Sequence, residues 1–234
     1  MITTTPTLDT EARAALLLQL ATERYSCRAF LPDALPREVI GRILTIAQRT
    51  PSWCNSQAWQ LVVASAPATQ RLRAELLEHV RSGAPAAPDL DWPAEYRGVY
   101  QQRRRECGLQ LYAATGVARG DAAAADRQRL ENFRFFGAPH VAIVTTEADL
   151  GTYGAIDCGA YVGQFMLAAR ACGVASIAQA ALAAYSGFWH ERLALPANRK
   201  VVCGLAFGHA DPAHPANRFR TSRADLREAV QWIE

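Results

Sequence analysis

From Tyr153 to Cys172 the chain is apolar nearly all round, and this stretch constrains the fold more than any other. A helix with one wet face mixes polar side chains into its pattern every three to four residues; one without them must be packed on most sides. The stretch is therefore expected to form a central helix with few solvent-facing positions. Its small residues Ala155, Gly159 and Gly163 recur every fourth position, where a second backbone can approach closely.

The rest of the chain supplies what such a helix needs to pack against. Gln60 to Ser65, His140 to Thr146, Val174 to Ala178 and Val201 to Phe207 read as strands, with Trp59 in the core. Thr10 to Ala21, capped by Asp9 or Thr10, is expected to be helical. So is Pro36 to Arg49, where Val39, Ile40, Ile43, Leu44 and Ala47 make one apolar stripe behind a proline suited to the first turn. Thr69 to Arg81 turns Leu72, Leu76, Leu77 and Val80 inward. A short helix is expected at Gly187 to Leu193 and a terminal one at Asp225 to Trp232. The run Ser82-Gly83-Ala84-Pro85-Ala86-Ala87-Pro88-Asp89 breaks regular structure. Tyr96 to Gly116 and Asp121 to Phe135 follow as two helices with polar outer faces. The expectation is an α+β fold with a sheet of four or five strands. Residues 1–234 read as one domain, with a helical and loop excursion at about 83–136 between the first and second strands.

Composition narrows the function. A chain of 234 residues, half of them hydrophobic, buries roughly 70–75% of its unfolded surface. Its net charge is only +3, Lys200 is the single lysine, and Arg103-Arg104-Arg105 reads as a solvated helix face, so no nucleic-acid surface is indicated. Cys27, Cys54, Cys107, Cys158, Cys172 and Cys203 are scattered without a C-x-x-C pair, which argues against a disulfide framework or zinc site and for reduced thiols. The five histidines lack metal spacing. No cationic leader precedes Asp9 and Glu11, and no apolar run approaches the ~20 residues of a membrane span, so a cytoplasmic protein is expected.

Two segments carry chemistry. Arg24-Tyr25-Ser26-Cys27-Arg28 offers guanidinium forks and a hydroxyl suited to a phosphate. A second cationic cluster, Asn217-Arg218-Phe219-Arg220-Thr221-Ser222-Arg223, lies at the other end of the chain, and the two flank every strand. Arginines of either cluster serve equally as surface pairs; together they suggest a shared anion. In Pro51-Ser52-Trp53-Cys54-Asn55-Ser56-Gln57-Ala58-Trp59, two side-chain amides sit between aromatics at the mouth of a strand. They suit the polar edge of a flat heteroaromatic ring, or the capping of that strand. Ser176 to Ala181 ends a strand in small residues, which admit a ligand close to the backbone or pack the strand end tightly. No G-x-G-x-x-G, phosphate-binding G-x-x-x-x-G-K or G-x-S-x-G motif is present. A cofactor is then expected to carry the chemistry.

These pieces, in their order and spacing, resemble the nitroreductase family of FMN-dependent enzymes. The match includes Gly154-Ala155-Ile156-Asp157, Leu167-Ala168-Ala169-Arg170, Ala178-Gln179-Ala180-Ala181-Leu182 and Cys203-Gly204-Leu205-Ala206-Phe207-Gly208, and so spans nearly the whole chain. The stretch from Tyr96 to Pro139 is similar to the branch that includes bacterial nitrobenzoate reductases. The resemblance implies a mostly antiparallel sheet and a homodimer with active sites at the subunit interface. It implies that Arg24, Ser26 and Arg223 hold the FMN phosphate, that Arg28 lies near the flavin N1–C2=O edge, and that Asn55 bonds the pyrimidine part. Ala178, Gln179 and Ala180 would line the ring and offer an amide to N5, with Tyr25, Pro51, Ser52 and Gln57 also at the cofactor. NAD(P)H would deliver hydride to N5, and a flat electron-poor acceptor, a nitroaromatic first, would then take its place, with no catalytic side chain required. Enones, quinones, halogenated aromatics, or flavin binding without turnover are the alternatives. The acceptor pocket would draw on Trp53, the loop from Gly83 to Tyr96, and Phe133 to Phe136 of a neighbouring subunit. Family members often carry an arginine at Tyr25, prolines at Ala58 and Ala178, and a lysine at Thr221; two cations are thus absent here, and Arg220 stands beside the second position.

Overall fold

A computed structural model describes residues 9–234; the reading of residues 1–8 as lacking a leader lies outside them. In chain order the regular elements are α1 (Thr10–Glu23), α2 (Arg37–Ala47), β1 (Trp59–Ser65), α3 (Ala68–Arg81), α4 (Gly98–Thr115), α5 (Ala122–Leu130), β2 (His140–Glu147), α6 (Gly151–Ala171), β3 (Ala175–Gln179), α7 (Ala180–Ala183), α8 (Ser186–Arg192) and β4 (Arg199–Gly208). The four strands form one antiparallel sheet in the order β1-β2-β4-β3. A parallel bridge between Ser26 and Ser176 lays the 24–28 segment along the free edge of β3. The sheet thus has four strands, within the four or five expected, and the bridge adds no strand to it.

The central strands β2 and β4 are buried along almost their whole length, so both sheet faces must be covered. On one face α6 and α2 pack through Phe165, Tyr161, Ile43 and Trp59. On the other, α3, α8 and the Phe133–Phe136 turn pack through Leu76, Trp189 and Phe135. Gly154 brings α6 close to β2: a Cβ there would lie 2.6 Å from Thr146 Oγ1 and 2.8 Å from Leu150 Cβ.

The strip of α6 turned away from the sheet is open in the single chain. Tyr153 and Ile156 are each 55% exposed, and Gly159, Ala160 and Gly163 are exposed beside them. Helices α1 and α4 bury none of their residues, and Leu16, Leu17 and Leu18 of α1 lie open. Asp9 is the N-cap of α1, accepting from the Ala12 amide at 2.7 Å.

Two expected elements come out differently. Asp225 to Trp232 is not an α-helix; Leu226–Glu228 makes one 3-10 turn that ends at Ala229, and residues 230–234 have no regular structure. Leu226 and Trp232 are 66% and 77% exposed. Eight residues without a surface to pack on cannot offset the cost of helix nucleation. Helix α5 stops at Leu130 rather than Phe135, because Phe135 and Phe136 take positive φ values of 54° and 52°. The chain turns there to enter β2, held by the Phe30 amide donating to the Phe136 carbonyl at 3.1 Å.

A buried histidine joins the α2 entry to the sheet. His140 is 1% exposed; its Nε2 accepts from the Leu35 amide at 2.8 Å, so its Nδ1–H donates to Ser65 Oγ at 3.0 Å. Desolvation holds its pKa below the ordinary histidine value. The unfolded chain therefore binds a proton that the folded one resists. This contribution is complete above the unfolded pKa, about 6.5, and is lost as pH falls through it toward the folded value. Unfolding midpoints followed from pH 8 to pH 5 are expected to show the wild-type advantage over His140→Gln narrowing below about pH 6.5; a constant gap would remove His140 as the cause.

Candidate functional site

A cleft of about 620 Å³ opens at the edge of β3, lined by Ala21, Thr22, Arg24, Tyr25, Ser26, Arg28, Cys107, Phe219, Arg220, Thr221 and Arg223. The cationic clusters from the two ends of the chain meet in it, and no carboxylate lines it. The cause of their meeting is a single buried amide. Asn217, 6% exposed, accepts from the Arg28 amide through Oδ1 at 2.8 Å and donates through Nδ2 to the Ala29 and Asp211 carbonyls at 2.9 and 2.8 Å. Two of these three backbone partners, Arg28 and Ala29, are remote in sequence, which fixes the two segments side by side. Arg28 over the Phe219 ring (5.5 Å) and Arg220 over the Tyr25 ring (3.7 Å) add two further staples.

Electrostatics inside the cleft are one-sided. Burial, and next the charge of Arg223, hold the Arg24 guanidinium below its ordinary pKa; burial does the same to Arg28. Arg24 and Arg223 therefore repel one another across the cleft, and an anion between them relieves that repulsion. Ser26, fixed by its bridge to Ser176, adds a hydroxyl.

The 24–28 segment lies along the edge of β3, whose last residues are Ala178 and Gln179, and Ala180 opens α7 directly after it. Gln179 is 2% exposed, and its Nε2 donates to the Asn132 carbonyl at 2.8 Å. That side chain faces the interior, which leaves only backbone atoms to meet a ligand. Ala180 and Ala181 border another cleft of about 660 Å³, walled by Trp92 to Tyr96 and by Gln101 and Arg104 of α4. Gln101, Arg104 and Cys107 recur at three-residue spacing on one side of α4, so this helix roofs both clefts. The loop before α4 is pinned at its base: Asp89 Oδ2 accepts from the Val201 amide at 2.7 Å and pairs with His190 Nε2 at 3.1 Å.

Pro51, Ser52, Asn55 and Gln57 stand elsewhere: none of them lines either cleft of their own chain. Cys54, Asn55 and Gln57 have φ values of 50°, 56° and 49°, a conformation that costs non-glycine residues energy and persists only when held. What holds it is Asp157 of α6, 7% exposed. Its carboxylate accepts from the Trp53 amide at 3.3 Å and from Ser56 Oγ at 3.1 Å, while Ser52 Oγ accepts from the Gln57 amide at 2.9 Å. The Gln57 amide oxygen is engaged by Gln48 Nε2 at 3.0 Å, so Gln57 secures the loop; both amides are exposed, and the Asn55 side chain makes no hydrogen bond among the described residues. Trp53, 55% exposed, packs edge-on to Tyr153 at 4.1 Å and belongs to the open strip of α6. Asp157→Ala is expected to cost about 1–2 kcal/mol by leaving the Trp53 amide and Ser56 hydroxyl without their acceptor. A lower melting temperature with faster proteolysis between residues 51 and 57 checks this; an unaltered cleavage rate contradicts it.

Phe133 and Phe136, expected at the acceptor pocket, are largely buried in the single chain. They are 4% and 5% exposed and sit in the core with Phe135, because the positive-φ turn that follows α5 folds the aromatic run inward. Phe136 also borders a cleft of about 580 Å³ that Arg28 and Phe30 line with it. The sequence reading passed over Asp157 as a brace of the 52–57 loop and Cys107 as a wall of the cleft. A lone carboxylate within an apolar helix was the available signal for Asp157; nothing in the sequence marks Cys107.

The profile of the nitroreductase family matches residues 21–209. NfnB, a nitroreductase of Mycolicibacterium smegmatis, is 36% identical over 232 residues, 98% of this chain and 96% of its own. A 4-nitrobenzoate reductase of Pseudomonas putida is 31% identical over 87% of this chain and 89% of its own. The crystal structure of the FMN-dependent nitroreductase NfnB from Mycobacterium smegmatis, in complex with NADPH, superimposes with a TM-score of 0.90 at 34% identity, covering 94% of this chain and all of that one. A shared core, matched end to end at this identity, is common descent rather than a shared architecture alone: the chain belongs to the nitroreductase family.

Proposed function

We propose that the protein is an FMN-dependent NAD(P)H oxidoreductase acting on flat, electron-poor acceptors, nitroaromatics first among them, and that it works as a cytoplasmic homodimer. The observation that carries this reading is the cleft that gathers Arg24, Arg28, Arg220 and Arg223 beside β3 with no carboxylate on its lining. A phosphate ester fits such a wall, because guanidinium forks and a serine hydroxyl match its oxygens and its charge. Bound there, FMN supplies the two-electron carrier that no side chain of the protein provides.

Arg24, Ser26 and Arg223 hold the phosphate. Arg28 lies where the polar edge of the ring begins and favours negative charge there. Ala178 to Ala180 admit the ring against backbone, since alanine side chains leave room for it. Asn55, Pro51 and Ser52 reach the ring from a second copy of the chain, a reading that their absence from both clefts of their own chain supports. The open strip of α6, the unburied α1 and the exposed Trp53 support that pairing, because apolar surface of this extent calls for cover. The cleft below Trp92 to Tyr96 receives the nicotinamide and then the acceptor. Six free cysteines support a reducing compartment, and no helix among the described residues is long and apolar enough to cross a membrane.

The test is steady-state oxidation of NADPH and NADH by flavin-replete protein with 4-nitrobenzoate, nitrobenzene, a quinone and an enone. Turnover with hydroxylamine or amine products from the nitroarenes is expected; consumption with none of the four acceptors would refute the proposal.

A further inference from the structure

The cleft holds more positive charge than the residues named so far account for. None of Arg24, Arg28, Arg220 and Arg223 pairs with a carboxylate among the described residues, although most ion pairs of the protein use arginine. Two of the four lie over an aromatic ring, Arg28 over Phe219 and Arg220 over Tyr25, and Arg220 is the closer. An arginine on an exposed C-terminal segment ordinarily samples many rotamers, but this guanidinium lies 3.7 Å from the centroid of the Tyr25 ring. Its Nη1 also donates to the Asn217 and Phe219 carbonyls, both at 2.8 Å. One face and one nitrogen are thereby fixed, which leaves Nε and Nη2 without a partner among the described residues. A guanidinium held this way has lost its rotamer entropy before any ligand arrives, so an anion gains the bond without that cost.

We infer that Arg220, held flat against Tyr25, is a direct ligand of the flavin phosphate, and that Tyr25 is a positioning residue acting through Arg220 rather than a cofactor contact. The inference rests on reading the cleft as the seat of that phosphate. It explains how the chain manages with an aromatic at position 25 and a threonine at 221: one stacked guanidinium stands for the cations absent at both. Stacking on an aromatic face holds arginine without neutralising it, since the attraction is to the ring quadrupole and no counter-charge is introduced.

Titration of the apoprotein with FMN and with riboflavin, which lacks the phosphate, tests this. Arg220→Ala is expected to weaken FMN about ten- to a hundredfold while leaving riboflavin within about twofold. Tyr25→Phe keeps the ring and is expected to retain FMN affinity; Tyr25→Leu is expected to lose FMN affinity selectively, with little further loss when combined with Arg220→Ala. Placing a lysine at Thr221 in the Arg220→Ala background is expected to restore part of the affinity. Wild-type protein that binds FMN while Arg220→Ala binds it equally well overturns the inference and leaves the flavin reading standing. So does an equal loss for riboflavin, which would mark a structural role. Wild-type protein that binds neither flavin overturns both.

Discussion

Replacing Arg223 with alanine is expected to weaken FMN binding by about 1.5–3 kcal/mol, roughly ten- to 150-fold, the scale of a lost charge-assisted hydrogen bond. Arg223 faces Arg24 across the cleft closely enough to depress its pKa, so the two share whatever anion enters. The same closeness makes their effects non-additive. With Arg223 gone, Arg24 is relieved of its like-charged neighbour in the apoprotein, and the double variant should lose less than the sum of the single losses. Quenching of FMN fluorescence on titrating apoprotein gives the three constants. Unchanged affinity in Arg223→Ala would remove it from the clamp.

Gly163→Arg is expected to have a still larger effect by a different route. A Cβ at Gly163 meets nothing within 4 Å in the single chain, and the position is exposed on α6. Arginine is also the better helix former, by under 1 kcal/mol, so the isolated chain should fold at least as well. If two copies meet across this strip, however, the new side chain occupies the space of a facing backbone, and overpacking a close contact costs about 1–3 kcal/mol per site with a buried charge added. The circular dichroism should be unaltered, the mass by light scattering should halve, and flavin content should fall with it, because Asn55 of a second copy is then withdrawn. Gly159 offers the same test one turn earlier. A dimeric Gly163→Arg protein that retains flavin would show that α6 is not the contact.

The elements were legible in the sequence where period and composition agreed. The stripe Ile40, Ile43 and Ala47 is buried as its spacing requires, and Trp59 stacks on Tyr161 at 5.0 Å inside the core. That the two cationic clusters share one cleft was expected from arginine chemistry, and they are tied together by Asn217, whose role depends on three backbone partners that no local pattern reveals. The burial of Phe133 and Phe136 was not legible, because an aromatic run with a glycine after it looks the same whether its turn points outward or inward; the positive φ angles of Phe135 and Phe136 set it. The terminal segment was misread because its helical spacing is real while the surface it would pack on is absent from the chain. Asn55 and Gln57 looked equivalent in sequence, and the hydrogen bond from Gln48 separates them, making one a brace and leaving the other free.

The visible spectrum of the protein, purified and then supplied with FMN, bears most directly on the proposal that arginines from the two ends of the chain seat a flavin. The account predicts a yellow protein that retains FMN through desalting and bleaches when NADPH or NADH is added without oxygen. A colourless protein that releases all added FMN, or one whose flavin stays oxidised under both nucleotides, would contradict it.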